Sequence, residues 1–197
     1  MGGRAGGGLG SGMGGGVYRE LSTDDFWSLA HSQNVTKAEE KALYYGKTRL
    51  IDSQESWEIN KQLTEQKIGK TVPSKFMDAG SRKAIKTLDS VIDKNVTSKN
   101  LRVQRYVSEG WLTEGGRSLK QGSVITEHRF TSTSAVPRRT FFNQRKVHIT
   151  IDIPKGKHAF VTKNLAESEV VLPRNSKFKV TRIKSSGGRT EVKLKVV

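Results

Sequence analysis

The chain has 197 residues and no cysteine, which excludes a disulfide framework, thiol catalysis and a cysteine-type zinc site. Its four histidines, His31, His128, His148 and His158, are scattered without metal-ligand spacing, so no metal site is expected. No apolar run approaches the roughly 18–20 residues that a membrane-spanning helix needs. The N-terminus lacks the apolar segment of a secretory signal peptide, so any export is expected to use another route. No GxGxxG or Walker-type phosphate loop occurs, and a nucleotide would have to be held outside a Rossmann fold. Aromatic residues are only 7%, thin support for a surface that stacks bases between basic side chains.

Acidic residues are also scarce. Nineteen Asp and Glu against thirty-five Lys and Arg leave a net charge of +16, which favours an anionic partner: a pyrophosphate, an acidic protein surface or nucleic acid. An even spread of cations for solubility is the plainer reading of the same number. The basic residues form no single dense block, although Arg138-Arg139 and Arg145-Lys146 lie close together. A mean hydropathy of -0.58 fits a polar, water-facing domain, and the length suits one medium domain with a sizeable core.

Residues 1–16, MGGRAGGGLGSGMGGG, hold half of the chain's 20 glycines and almost nothing apolar. Such a segment is expected to be a flexible linker or tail, since burial cannot offset its ordering entropy. Residues 17–197 are expected to form one domain, helical over about 20–95 and β-rich over about 100–197.

In the helical part, Ser22-Thr-Asp-Asp25 before Phe26, Trp27 and Leu29 predicts a capped helix start with acids in its first turn. Thr36-x-x-Glu39 is a second capping box, and the helix it opens is expected to end at Gly46. Trp57, Ile59 and Leu63 predict a helix from Ser53 to Gln66. Ile85, Leu88 and Ile92 predict another from Asp78 to Asp93. After Asn95 the apolar period drops to two. Leu101, Val103 and Arg105 share one face of a strand, and a charge aimed at that face needs an anionic partner. Val147, Ile149, Ile151 and Ile153 alternate with His148, Thr150 and Asp152 in the clearest strand of the chain. Further strands are expected at Phe160, Val170–Leu172, Phe178–Ile183 and Val192–Val196. Helices first and strands after imply an α+β domain with mostly antiparallel sheets.

One stretch carries the chemistry: Leu165-Ala-Glu-Ser-Glu-Val-Val-Leu-Pro173. If Glu169 to Leu172 is a strand, Glu167 and Glu169 lie two residues apart and project to one side, roughly 6.5–7 Å apart. Like charges so close oppose joint ionisation, so one of the pair could be tuned as a base. Upstream stand Arg105 in Leu101-Arg-Val-Gln-Arg-Tyr-Val107 and then Phe130-Thr-Ser-Thr-Ser134. In that order, Arg, Ser-Thr-Ser and Glu-x-Glu resemble the signature of ADP-ribosyltransferase exoenzymes, in the branch holding binary-toxin catalytic domains and related phage and effector domains. Tyr45-Gly46 with Ile59-Asn60-x-x-Leu63 resembles the family's helical lead-in. Phe142-Asn-Gln-Arg-Lys146 running into Val147–Gly156 resembles its loop and strand.

The resemblance implies two packed sheets with a cleft for NAD, which serves as substrate. It implies that Glu169 stabilises positive charge on the ribose as nicotinamide leaves, with Ser132 holding that carboxylate. Glu167 would orient and help deprotonate an acceptor guanidinium, which implies arginine of a target protein. Arg105 and Arg145 would grip phosphate, and Phe142 (or Phe141, by the register of its loop) would stack on nicotinamide. Thr133 and Ser134 would shape the cleft wall, and Asn60 would face the adenosine side. Two departures stand out. Gln104 replaces the usual aromatic before the arginine, and the loop Thr162–Ala166 is short and lacks the binary toxins' aromatic residue. Actin is therefore not carried over as target. The expected activity is mono-ADP-ribosylation by an effector, toxin module or phage-encoded modifier acting in the cytosol of a target cell. It would be delivered by a secretion system, a phage or a larger precursor, with an immunity or carrier protein as possible partner. Modification of nucleic acid is the alternative acceptor. A non-catalytic nucleic-acid-binding or capsid-associated module is the alternative class.

Overall fold

The computed structural model describes residues 16–45, 59–63, 79–117, 119–136 and 144–197. Helix α1 (Thr23–His31) begins where Ser22 accepts a hydrogen bond from the Asp25 N–H at 3.1 Å, satisfying one free donor of the first turn. Helix α2 (Lys37–Tyr45) opens on a reciprocal box: the Thr36 N–H donates to Glu39 at 2.9 Å, and the Glu39 N–H donates to the Thr36 hydroxyl at 3.2 Å. Of the helix expected over Ser53–Gln66, residues 59–63 are described and are helical; Trp57 and Gly46 lie outside the described residues. Helix α3 (Ala79–Lys94) buries Ala84, Ile85, Leu88, Val91 and Ile92, the stripe that its 3.6-residue period predicts. Lys94 closes it onto α2 through a 2.6 Å ion pair with Glu39.

Eight strands follow: β1 (Leu101–Val107), β2 (Val124–Glu127), β3 (Thr131–Ser134), β4 (Val147–Ile153), β5 (Phe160–Val161), β6 (Glu169–Leu172), β7 (Ser176–Ser186) and β8 (Arg189–Val196). They form one hydrogen-bonded sheet in the order β2-β7-β8-β4-β1-β3-β6-β5. All neighbours are antiparallel except β4 and β8. The two sheets expected from the resemblance are halves of this one. A single registered pair, Gln104 opposite Ser134, joins the five-stranded half to the three-stranded half. Strand β2 has no counterpart in the sequence reading, because its buried members are Ile125 and the charged Glu127, too little apolar signal to read as a strand.

Two apolar clusters fill the space beside the sheet. The larger joins the inward residues of β1, β4, β7 and β8, such as Val103, Ile149, Val180 and Leu194, to Phe26 of α1 and to Val170 and Leu172 of β6. The smaller packs Leu43 of α2, Ile59, Leu63 and the stripe of α3 against Phe130, Phe160 and Val171. Strand β6 therefore lends alternate residues to the two clusters, which fixes it between them. Each fully buried aliphatic or Phe side chain stabilises the fold by roughly 1.5–3 kcal/mol. Truncating Leu88 to Ala, at the centre of α3, would cost about 2–5 kcal/mol once the cavity is counted. Among the described residues no helix is long and apolar enough to cross a membrane.

Candidate active site

Glu169 opens β6 and is buried, 5% exposed. A buried carboxylate needs donors, and two hydroxyls supply them. Ser132 Oγ donates to Oε1 at 2.6 Å, and Thr162 Oγ1 donates to Oε2 at 3.3 Å. The first is short, as hydrogen bonds to a charged oxygen are. The other hydroxyls of the Ser-Thr-Ser run turn to the backbone. Thr133 Oγ1 donates to the Val170 carbonyl at 2.7 Å and Ser134 Oγ to the Val136 carbonyl at 3.1 Å. One side chain of the three reaches the carboxylate and two brace the strands around it.

Glu167 does not share the strand. Residues 165–168 form a turn, and Ser168 between the two glutamates has φ 47, in the left-handed region. The period-two argument that placed both carboxylates on one face therefore stops at Glu169, because a left-handed residue reverses the local chain direction. The turn is held from several sides. Ser168 is buried, its carbonyl accepts from the Ala135 N–H at 2.9 Å, and the Glu167 N–H donates to Asn164 Oδ1 at 3.3 Å. A strained residue kept in place by its surroundings gives the loop between the two candidate carboxylates a fixed shape.

Helix α2 anchors the start of that loop. Tyr44 Oη accepts from the Lys163 N–H at 2.8 Å, and Lys163 Nζ pairs with Glu40 at 2.7 Å. Burial, with the Glu169 charge as a smaller contribution, pushes the Tyr44 hydroxyl up to about 12. It stays neutral and serves as a fixed acceptor. The sequence reading quoted Tyr45, which is 79% exposed, and missed Tyr44 and Thr162. Neither has a local signal: Tyr44 acts across 119 residues, and Thr162 is a lone loop hydroxyl that meets Glu169 only once the turn between them has formed.

Arg105 lies on β1, half-buried, in a second charged group. Its neighbours are Glu127, Arg129, Glu114 and Arg117. Within the group, Glu127 accepts from Trp111 Nε1 at 3.0 Å and pairs with Arg129 at 3.1 Å. Arg129 pairs with Glu114 at 2.5 Å. Burial works against the Glu127 charge, yet Arg129, Arg117 and Arg105 outweigh it and hold that carboxyl below its usual range. The Arg105 side chain makes no hydrogen bond or ion pair among the described residues, and burial pushes its guanidinium down to about 10. Three guanidiniums face two carboxylates, so one positive charge is left over. The sequence reading named Arg105 as a candidate but not its frame, which β2 and the two 3-10 turns Glu109–Leu112 and Glu114–Gly116 assemble.

The remaining candidates sit apart. Asn60 Oδ1 accepts from the Phe130 N–H at 3.0 Å and so ties the helical residues 59–63 to the start of β3. Arg145, ahead of β4, donates to the Tyr106 carbonyl at 3.4 Å. Phe142 and its alternative Phe141 lie outside the described residues, as do Arg138 and Arg139. A small cleft of about 110 Å³ between α1, α2 and β5 is lined by residues including Tyr44 and Lys163, but by neither Glu167 nor Glu169. It is far too small for a dinucleotide. Among the described residues no group of three His, Asp or Glu side chains could hold a metal ion.

A family model described as ADP-ribosyltransferase exoenzyme matches residues 18–197. No curated protein sequence matches the chain significantly. Among solved structures, the Clostridium limosum C3 exoenzyme is 17% identical with a TM-score of 0.73, over 92% of this chain and 98% of that one. C3stau2 from S. aureus, solved with NAD, is 17% identical with a TM-score of 0.72, over 91% and 98%. Plx2a, an ADP-ribosyltransferase toxin from Paenibacillus larvae, is 20% identical with a TM-score of 0.68, over 92% and 100%.

Proposed function

The chain belongs to the ADP-ribosyltransferase exoenzyme family and takes NAD as its substrate, and from that premise we propose that it transfers ADP-ribose to an arginine of a target protein. When bound, NAD supplies a nicotinamide–ribose bond whose cleavage leaves positive charge on the sugar. Glu169 is the group that meets this charge. The observation that carries the reading is its buried carboxylate, held by Ser132 and Thr162. A carboxylate fixed in this way needs no reorganisation as charge develops, the condition under which electrostatic stabilisation is strongest.

Arg105 holds the pyrophosphate, supported by the surplus positive charge of its group and by its side chain's having no hydrogen-bond or ion-pair partner among the described residues. A guanidinium suits that role because it can grip phosphate oxygens bidentately. Arg145 and Phe142 complete the NAD side, on phosphate and nicotinamide respectively. Asn60, through its bond to Phe130, sets the helical wall near the adenosine, while Thr133 and Ser134 keep the floor of the cleft in register. Glu167 receives the acceptor. An arginine is protonated at neutral pH and is a poor nucleophile, so a carboxylate within reach must orient it and assist its deprotonation. The enzyme acts as a delivered effector or toxin module in the cytosol of a target cell.

The test is incubation of the full chain with labelled NAD and a cell lysate. Label on a discrete protein, released by protease but not by RNase or DNase and absent with Glu169→Gln, is the expected result. Label that nuclease removes, or nicotinamide release that Glu169→Gln leaves intact, would overturn it.

A further inference from the structure

We propose that the outer face of the β7–β8 hairpin is a docking surface for an anionic lipid bilayer, separate from the NAD site. On β7, Lys177, Lys179, Arg182 and Lys184 are exposed while Phe178 and Val180 are buried. On β8, Lys195 is exposed and Lys193 half-buried beside the buried Val192, Leu194 and Val196. None of the four β7 cations forms an ion pair among the described residues.

The pairing register gathers these charges onto one side. Lys179 stands opposite Lys195 and Arg182 opposite Lys193, with a β-bulge between Val180 and Arg182. In an unbroken alternation, without the bulge at Thr181, Thr181 and Ile183 would take the outward positions and the cations beyond them would turn inward. The bulge keeps all six cations on the outer face. Like charges placed directly across an antiparallel pair destabilise it. Two such pairs side by side, in a strand pair that neutral residues would stabilise better, mark a face kept for an anionic partner. The acids nearby offset only part of it: Asp152 is shared between Arg102 at 2.7 Å and Lys193 at 3.3 Å, and Glu191 stands opposite Lys184, which leaves Lys177, Lys179, Arg182 and Lys195 without a facing acid in the register.

A bilayer fits this face better than nucleic acid does. The cations are spread over two neighbouring strands of the sheet and are not lined up along one track. Its aromatic side chains are engaged: Tyr106 stacks on His148 at 4.5 Å, and Lys195 lies over the Tyr18 ring at 5.8 Å, so none offers a stacking platform for bases. The apolar side chains exposed at its margin are valines. Val124 on β2, opposite Lys179, is 56% exposed, and Val197, whose N–H donates to the Lys177 carbonyl, is 50% exposed. Cations spread over two adjacent strands with small apolar side chains at the edge suit adsorption to anionic headgroups.

The experiment is co-sedimentation of the full chain with vesicles of phosphatidylcholine alone or with about 30% phosphatidylserine, at about 100 mM salt. Binding to the anionic vesicles only is expected. The triple variant Lys177→Glu, Lys179→Glu, Lys195→Glu should bind at least roughly a hundredfold more weakly, with unchanged NAD hydrolysis. If charge reversal lowers the thermal midpoint, the Lys→Gln triple variant takes its place, and Lys→Arg at the same positions should restore binding. No binding to anionic vesicles, equal binding by wild type and triple variant, or tighter lysine-dependent binding to a nucleic-acid duplex than to the vesicles would each overturn the proposal.

Discussion

Ser132 donates to Glu169 across the diagonal of the β3–β6 pairing, while the residue directly opposite Glu169 is Ser134. Same-face neighbours two residues out of register remain within side-chain reach in an antiparallel pair. The direct partner Ser134 turns its hydroxyl to the Val136 carbonyl instead. The Ser-Thr-Ser run thus divides its labour by register, with one hydroxyl for the carboxylate and two for the backbone. Ser132→Ala should lower NAD hydrolysis about 10- to 100-fold, since a hydrogen bond to a charged group is worth about 1.5–3 kcal/mol. Glu169→Gln should lower it by about 10²–10³ or more. Nicotinamide release under saturating NAD measures both, and near-normal release by Ser132→Ala would disprove the link.

Glu167→Gln separates acceptor from donor chemistry. Glu167 sits in the turn before β6, outside the strand that carries Glu169. Transfer to arginine should fall by at least about 10²-fold, the lower reach of a positioned general base. Hydrolysis of NAD should persist. The ratio of transferred label to free ADP-ribose is the readout, and equal loss of both activities would contradict the division.

Arg105→Gln tests whether a guanidinium with no ion pair among the described residues is kept for a ligand. Burial disfavours its charge, and Glu127 only partly compensates. Removing it should weaken NAD binding by at least roughly 10-fold, the scale of one charge-assisted bond. The thermal midpoint of the free protein should stay the same or rise, as a cost of burial is lifted. Calorimetry with and without NAD measures both quantities. A lower midpoint with undiminished NAD affinity would mean that Arg105 is a structural cation.

Tyr44 should give the fold an alkaline limit. Its hydroxyl is raised to about 12, above the ordinary value of 10.0, so the folded chain holds this proton where the unfolded chain has lost it. The contribution to stability is complete below about pH 10 and is lost as pH rises through about 12. Denaturant midpoints between these values should fall less steeply in Tyr44→Phe than in wild type. At neutral pH the same variant leaves the Lys163 N–H without its acceptor and should cost about 1–3 kcal/mol. A slope unchanged by the variant would remove Tyr44 as the source.

The sequence by itself determined the elements whose signal is local. The capping boxes at Ser22 and Thr36 and the 3.6-residue stripe of α3 fix the helices through neighbouring backbone and side chains. The alternation of β4 fixes its buried face in the same way. The ordered Arg105, Ser132 and Glu169 could also be read, because residue types at set spacings survive in a linear string. Only the tertiary structure decided the rest. The left-handed Ser168 takes Glu167 off the strand, a backbone choice stabilised by the Ala135 N–H from another strand. Strand β2 exists because β7 pairs with it, and that pairing brings Glu127 into the charged group around Arg105. Tyr44 and Thr162 reach the loop and its carboxylate over separations of 119 and 7 residues. The bulge in β7 likewise aligns its cations with those of β8. Each of these depends on hydrogen bonds and register between separate segments, and no period along one segment encodes them.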